Sequence, residues 1–212
     1  ERLVGSEMCI RDRNNSFLPG LLQLMILLVT VFSIGSEMKR ATSREWLRTA
    51  DDSIIIAITG KLIPQTIIFF SMGLLYLSLL YGYLHFPMHN SIWHMIFAMF
   101  LLVVASQSFA VIIMCFAPSL RIGLSVGGLV GVLSLSIAGF SFPVPAMYLP
   151  FQAISYVLPV RHYFLIYVDQ ALNGIPLYYS RVHYVALILF AVASTPLLPR
   201  LKKALMRQVY VP

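Results

Sequence analysis

SEMKRATSREWLRTADDSIIIAITGK, residues 36–61, is a charged interval set between long apolar runs. It carries Lys39, Arg40, Arg44, Arg48 and Lys61, and basic loops next to spans mark the cytoplasmic face of a membrane protein. The interval therefore reads as a cytosolic elbow joining two spans. Within it, Met38, Trp46 and Leu47 lie among Arg40, Arg44 and Glu45. A short helix here shows a few large apolar groups amid charge, which suits docking to a partner better than anchoring in lipid. The alternative for Trp46 is a place in the aromatic belt at the lipid interface.

Composition agrees. The chain is 59% hydrophobic and 11% charged over 212 residues, with a mean hydropathy of +0.84, and a water-soluble core of that length has nowhere to put so much apolar surface. The formal charge of +7 sits in short clusters beside apolar runs, with no nucleic-acid-binding signature, so orientation in a bilayer explains it better. Cys9 lies near the start and Cys115 inside an apolar run, which argues against a disulfide framework.

Residues 1–13, ERLVGSEMCIRDR, begin without Met and match nothing that follows in composition, so they read as a non-native leader, with 14–212 as the membrane domain. Residues 17–35 form a first apolar run, long enough to cross a hydrocarbon layer of ~30 Å. A signal peptide is the rival, but no small-residue cleavage site precedes Ser36 and the basic charge that follows is wrong for export. Residues 62–84 form the second run, and 92–116 the third, with Ser106, Gln107 and Ser108 at mid-membrane, for interhelical hydrogen bonds or substrate contact. The fourth, 122–142, has Gly123, Gly127 and Gly131 at every fourth position, a spacing that lets helix backbones approach closely within one subunit, at a dimer seam or along a transport path.

Pro143, Pro145, Pro150 and Pro159 then divide residues 141–180. Pieces 151–158 and 160–172 are too short to cross alone, so they read as two short external or re-entrant helices carrying Arg161, His162 and Asp169 where water reaches them. One kinked span is the alternative. Charge parity decides against it: the last run, 182–198, is followed by Arg200, Lys202, Lys203 and Arg207 and must end inside. The expected fold is all-α, a polytopic helical membrane protein with five transmembrane helices, the N-terminus outside and the C-terminus inside, plus a short external re-entrant helical hairpin.

The elbow resembles the cytosolic coupling segment of ABC-2 type transporter permeases: Glu37, Lys39-Arg40, Ala41-Thr42, Glu45, Leu47, Thr49-Ala50 and Gly60-Lys61 follow the family pattern in order. Ala41 stands where that pattern has glycine, Ala50 where it has proline, and Glu45 is displaced by about a residue. The resemblance continues to the C-terminus, through a Phe-Pro-containing external region, a last span and a short tail. It implies six spans in the full protein, of which this chain would hold five as an N-terminally truncated fragment. It also implies a separate ABC ATPase subunit carrying ATP-Mg, no cofactor in this chain, a homodimer or heterodimer of permease subunits, and residence in a bacterial inner (plasma) membrane. Arg40, Thr42, Arg44, Glu45, Trp46 and Leu47 would dock the ATPase, Trp46 and Leu47 by filling a cleft on it.

Other chemistry finds little support in the residues. No phosphate loop ends in Gly-Lys-Ser/Thr: Gly60-Lys61 is followed by Leu62. Neither a His-Glu-x-x-His helix nor a Gly-x-Ser-x-Gly elbow is present, so no catalytic set is assigned and the chain reads as a non-enzyme. His85, His89, His94, His162 and His183 fall on the external side and read as solvated or interfacial groups, with a metal site as the alternative. Spans almost free of ionisable residues argue against a proton-coupled carrier. The expected function is export driven by ATP hydrolysed elsewhere, with an ion-driven secondary transporter or a membrane scaffold subunit as alternatives, and a lipophilic or amphipathic cargo suggested by the uniformly apolar spans.

Overall fold

The computed structural model describes residues 2–40, 42–83, 91–137, 148–172 and 177–207, and among these every regular element is a helix. Among the described residues, five stretches are long and apolar enough to cross a membrane: Phe17–Lys39, Ile54–Tyr83, Ile92–Phe116, Leu120–Ile137 and Tyr178–Met206. The chain is a polytopic helical membrane protein.

Helix α1 spans Arg2–Lys39 and α2 Ser43–Thr49; α3, Ile54–Ser78, continues into a π-helical turn at Leu79–Tyr83. Helix α4 is Ile92–Phe116, where the sequence places it, and α5 is Leu120–Ile137. The expected end of that fourth run, together with Pro143 and Pro145, lies outside the described residues. Two short helices follow, α6 (Leu149–Tyr156) and α7 (Pro159–Tyr167), each with proline in its first turn, where the missing N–H has no partner to lose. Last come α8, Leu177–Val192, a 3-10 turn at Thr195–Leu197, and α9, Leu198–Arg207.

Helix α3 begins eight residues before the expected 62 because Ile54, Ala57 and Ile58 are buried while Ile55 and Ile56 are exposed, a helical rather than a loop pattern. The elbow proper is therefore short, and Lys61 sits within α3 instead of at its start. Helix α4 is apolar all round, and 67% of its most hydrophobic window is buried against 22–44% for the other spans. It is the axis on which α1, α3, α7 and α8 pack. Outward faces such as Ile67 and Leu189, 64% and 70% exposed, suit lipid.

The glycine stripe of α5 turns inward, against α1. A Cβ at Gly131 would collide with the Leu24 side chain, and one at Gly123 would come within 2.8 Å of Met114 Sδ and 3.0 Å of Val31. At Gly127 the nearest atom is an ordinary 3.6 Å away. These glycines pack the helices of one chain.

Arg161 and His162 are 6% and 8% exposed, which corrects the expectation that water reaches them. Helix α7, with Pro159 in its first turn, packs against α4 and α8. Asp169 is half-buried.

Candidate coupling elbow and the polar contacts above it

Glu37, in the last turn of α1, ties the elbow together. Its Oε1 takes an ion pair from Lys61 Nζ of α3 at 2.7 Å, its Oε2 accepts from Thr42 Oγ1 at 2.5 Å, and its backbone carbonyl accepts from Ser43 Oγ at 3.1 Å. Thr42 N–H reaches the same carbonyl at 3.2 Å. One residue thus holds the end of α1, the start of α2 and the first turns of α3. The Lys61 ammonium also lies 4.8 Å from the Trp46 ring centroid, so Trp46 is half-covered from above and its cation–π contact adds to the staple.

Helix α2 leaves by a tight turn. Ala50 and Asp52 N–H both donate to Leu47 O, at 3.1 and 3.0 Å, and Asp51 and Asp52 take left-handed φ values of 52° and 56°, a region aspartate tolerates better than most residues. Lys202 of α9 closes the turn by donating to Asp52 O at 2.5 Å. The apolar side of α9, Leu198, Leu201 and Leu205, shares one core cluster with Leu47, Ile54 and Met114.

The sequence-predicted docking residues therefore divide. Arg40, Arg44 and Glu45 are exposed, Thr42 is turned onto Glu37, and Trp46 lies partly under Lys61. Leu47 is fully buried in the chain's own core, so it seats α2 on the bundle and does not reach outward into a cleft on another protein.

Above the elbow, amides and hydroxyls join the spans. Gln65 of α3 donates to Thr30 of α1 at 2.8 Å, and Thr66 donates to Gln107 of α4 at 2.8 Å. Gln107 thus makes an interhelical contact, while Ser106 bonds back to Leu102 O of its own helix at 2.7 Å. Higher still, Gln23 of α1 accepts from Val160 N–H of α7 at 2.7 Å and donates to Ser134 of α5 at 3.2 Å. Sequence reasoning missed Gln23. The one signal available was an amide placed inside an otherwise apolar run.

At the far end, His162 Nε2 lies 3.0 Å from Tyr156 O and its Nδ1 lies 3.4 Å from His183 Nδ1. The carbonyl takes the Nε2 proton, so His162 Nδ1 is the acceptor and His183 the donor. Arg161 donates to Ser155 and stacks 4.2 Å over the Tyr156 ring. Asp169 accepts from Ser180 at 3.1 Å. His85 and His89 lie outside the described residues, and among the described ones no three metal-ligating side chains converge.

A groove of about 320 Å³, lined by apolar side chains that include Leu22, Met25, Met72 and Leu75, opens sideways between α1 and α3.

The family model described as ABC-2 family transporter protein matches residues 11–198. No curated protein and no solved structure matches the chain. With five membrane-crossing helices and a match over most of its length, the chain belongs to the ABC-2 transporter family and is a membrane permease of ABC-type transport.

Proposed function

We propose that this permease is the membrane-spanning subunit of an exporter, driven by ATP that a separate ABC ATPase subunit hydrolyses beneath α2, and that it works as a dimer of permease subunits in a bacterial inner membrane. The observation that carries the reading is the stapled elbow. A seven-residue helix, α2, is fixed between the first two spans by Glu37, Lys61 and Leu47 while Arg44, Glu45 and Arg48 face outward. A push on such a helix passes to α1 and α3 together, because both are bonded to one carboxylate. Nucleotide must then favour one docked geometry over another, since only a differential interaction shifts a conformational equilibrium.

The polar side chains buried along α1, α3, α4 and α5, among them Gln23, Thr30, Gln65, Gln107 and Ser134, are amides and hydroxyls that neither take up nor release protons. That supports an external energy source over proton coupling. The apolar groove between α1 and α3 supports a lipophilic or amphipathic cargo.

The test is ATP hydrolysis by the chain reconstituted with the ABC ATPase of the neighbouring reading frame, assayed against a panel of lipophilic drugs and lipids. Hydrolysis that rises with one cargo and falls back with Arg44→Glu supports the reading. Transport by the purified chain alone under an ion gradient would replace it with a secondary transporter.

A further inference from the structure

Helix α7 begins without a cap of its own. Leu158 stands at its N-cap and makes no side-chain capping bond, and Pro159 has no N–H to satisfy. The Val160 amide is thus the first orphan donor of the helix, and with Val160 fully buried no water is there to take it. Its partner comes from 137 residues away: Gln23 Oε1 of α1 accepts it at 2.7 Å. Gln23 is fully buried, and its amide nitrogen is occupied by Ser134 Oγ of α5 at 3.2 Å. Ser134 is in turn anchored on Gly131 O at 2.7 Å, so the oxygen of Gln23 is aimed at α7.

Other polar fastenings of α7 lead to its chain neighbours: Arg161 to Ser155 of α6, and His162 to the Tyr156 carbonyl of α6 and to His183 of α8. Gln23 ties α7 by a side-chain hydrogen bond to the helix that ends in the elbow. From Gln23 to Glu37 along α1 is about 21 Å at 1.5 Å per residue, within one unbroken helix.

We infer that Gln23 is the positioning residue that makes α7 follow α1, so that displacement of the elbow at one end of the bundle moves the short helix at the other. This rests on the reading that an ATPase pushes the elbow. It assigns an axial path of transmission to α1 and the Gln23–Val160 contact to its upper end.

Two measurements separate this inference from the reading beneath it. The first needs no partner: hydrogen exchange of the segment 159–167, in the chain held in lipid nanodiscs. Gln23→Leu is expected to speed exchange at Val160 about tenfold, in the range that loss of a helix cap produces. Ser134→Ala, which frees the amide without removing it, should give a smaller rise, and Gln23→Glu, which keeps an acceptor oxygen, should restore protection. Unchanged exchange in Gln23→Leu overturns the inference whatever drives the permease.

The second uses the complex with its ATPase, in a Cys9→Ser, Cys115→Ala background, with thiol labelling at Thr49→Cys in the elbow and Val157→Cys beside α7. Trapping with a non-hydrolysable ATP analogue should change both labelling rates in the otherwise native chain. In Gln23→Leu the change at position 49 should persist and the change at 157 should vanish, with Gln23→Glu restoring it. A change at 157 that survives Gln23→Leu overturns the role of Gln23 alone. An elbow that never responds to nucleotide overturns the docking reading and the transmission with it.

Discussion

The Glu37 carboxylate accepts from Lys61 and Thr42 while its backbone carbonyl holds Ser43, so removing its charge loosens the first two contacts and spares the third. Glu37→Gln should weaken the elbow by about 1–2 kcal/mol, because Lys61 keeps its charge without its counter-ion near the membrane boundary. Limited proteolysis between α1 and α3 is the check: cleavage that does not speed up would show the ion pair to be dispensable. The histidine pair responds to acid instead. Burial holds the His162 imidazole below its ordinary value, with relief from the Tyr156 carbonyl and further depression from His183 and Arg161. The sign follows from that direction. The unfastened form takes up a proton first, so the α7–α8 contact is strongest above pH ~6.5 and weakens as pH falls below it. Protonated His162 Nδ1 would face the N–H of His183 across 3.4 Å, beside Arg161 and with Asp169 as the nearby anion. Cross-linking between α7 and α8 should therefore decline between about pH 7 and pH 5, and His162→Phe should flatten the profile.

Among the elements, α5 and α2 make opposite demands on sequence. Helix α5 lies on α1 through Gly131 and Gly123, whose missing Cβ atoms leave room for Leu24, Val31 and Met114. Gly131→Ala should thus cost about 1–3 kcal/mol of overpacking, whereas Gly127→Ala should be neutral or slightly stabilising. Thermal unfolding of the two variants in detergent separates them, and equal losses would place the seam elsewhere. Helix α2 instead separates seating from docking. Leu47→Ala should destabilise the bundle by about 2–4 kcal/mol, as a buried leucine does when it leaves a cavity. Arg44→Glu, on the exposed side, should leave stability within about 0.5 kcal/mol and weaken only ATPase association. A destabilised Arg44→Glu variant would mean that the exposed side of α2 is packed against the bundle after all.

For the whole molecule, the elbow, the Ser119–Leu120 turn and α9 share one end. Gly35 meets Leu120, Cys115 lies 3.5 Å from Leu197 O, and Lys202 holds Asp52 O. Helices α6 and α7 lie at the other end, beyond Gln23. Cysteines placed at Thr49 and Lys203 should accordingly label from the same side of the membrane, and one at Tyr148 from the opposite side. In intact cells the first pair should be shielded from an impermeant reagent. Labelling of position 49 from outside would invert the orientation and remove the docking surface.

The sequence by itself determined the membrane class, the number of crossings and the place of the elbow. Apolar run lengths and clustered basic residues are local quantities, and the bilayer acts on them directly. It also separated α6 from α7, because pieces 151–158 and 160–172 are too short to cross alone and the basic residues after the last run exclude one kinked span. Only the tertiary structure decided which way side chains face. A short helix mixing apolar and charged residues can turn either side to the bundle, so its local pattern does not tell Leu47 from a docking residue or Arg161 from a solvated one. The start of α3 moved for a related reason: residues 54–61 are an apolar lead-in closed by Gly60-Lys61, and only the core that Ile54, Ala57 and Ile58 face joins them to the span as one helix. Gln23 with Val160, and His162 with His183, are partners 137 and 21 residues apart. Their meeting depends on how α7 is folded back against α1 and α8, which no local pattern records.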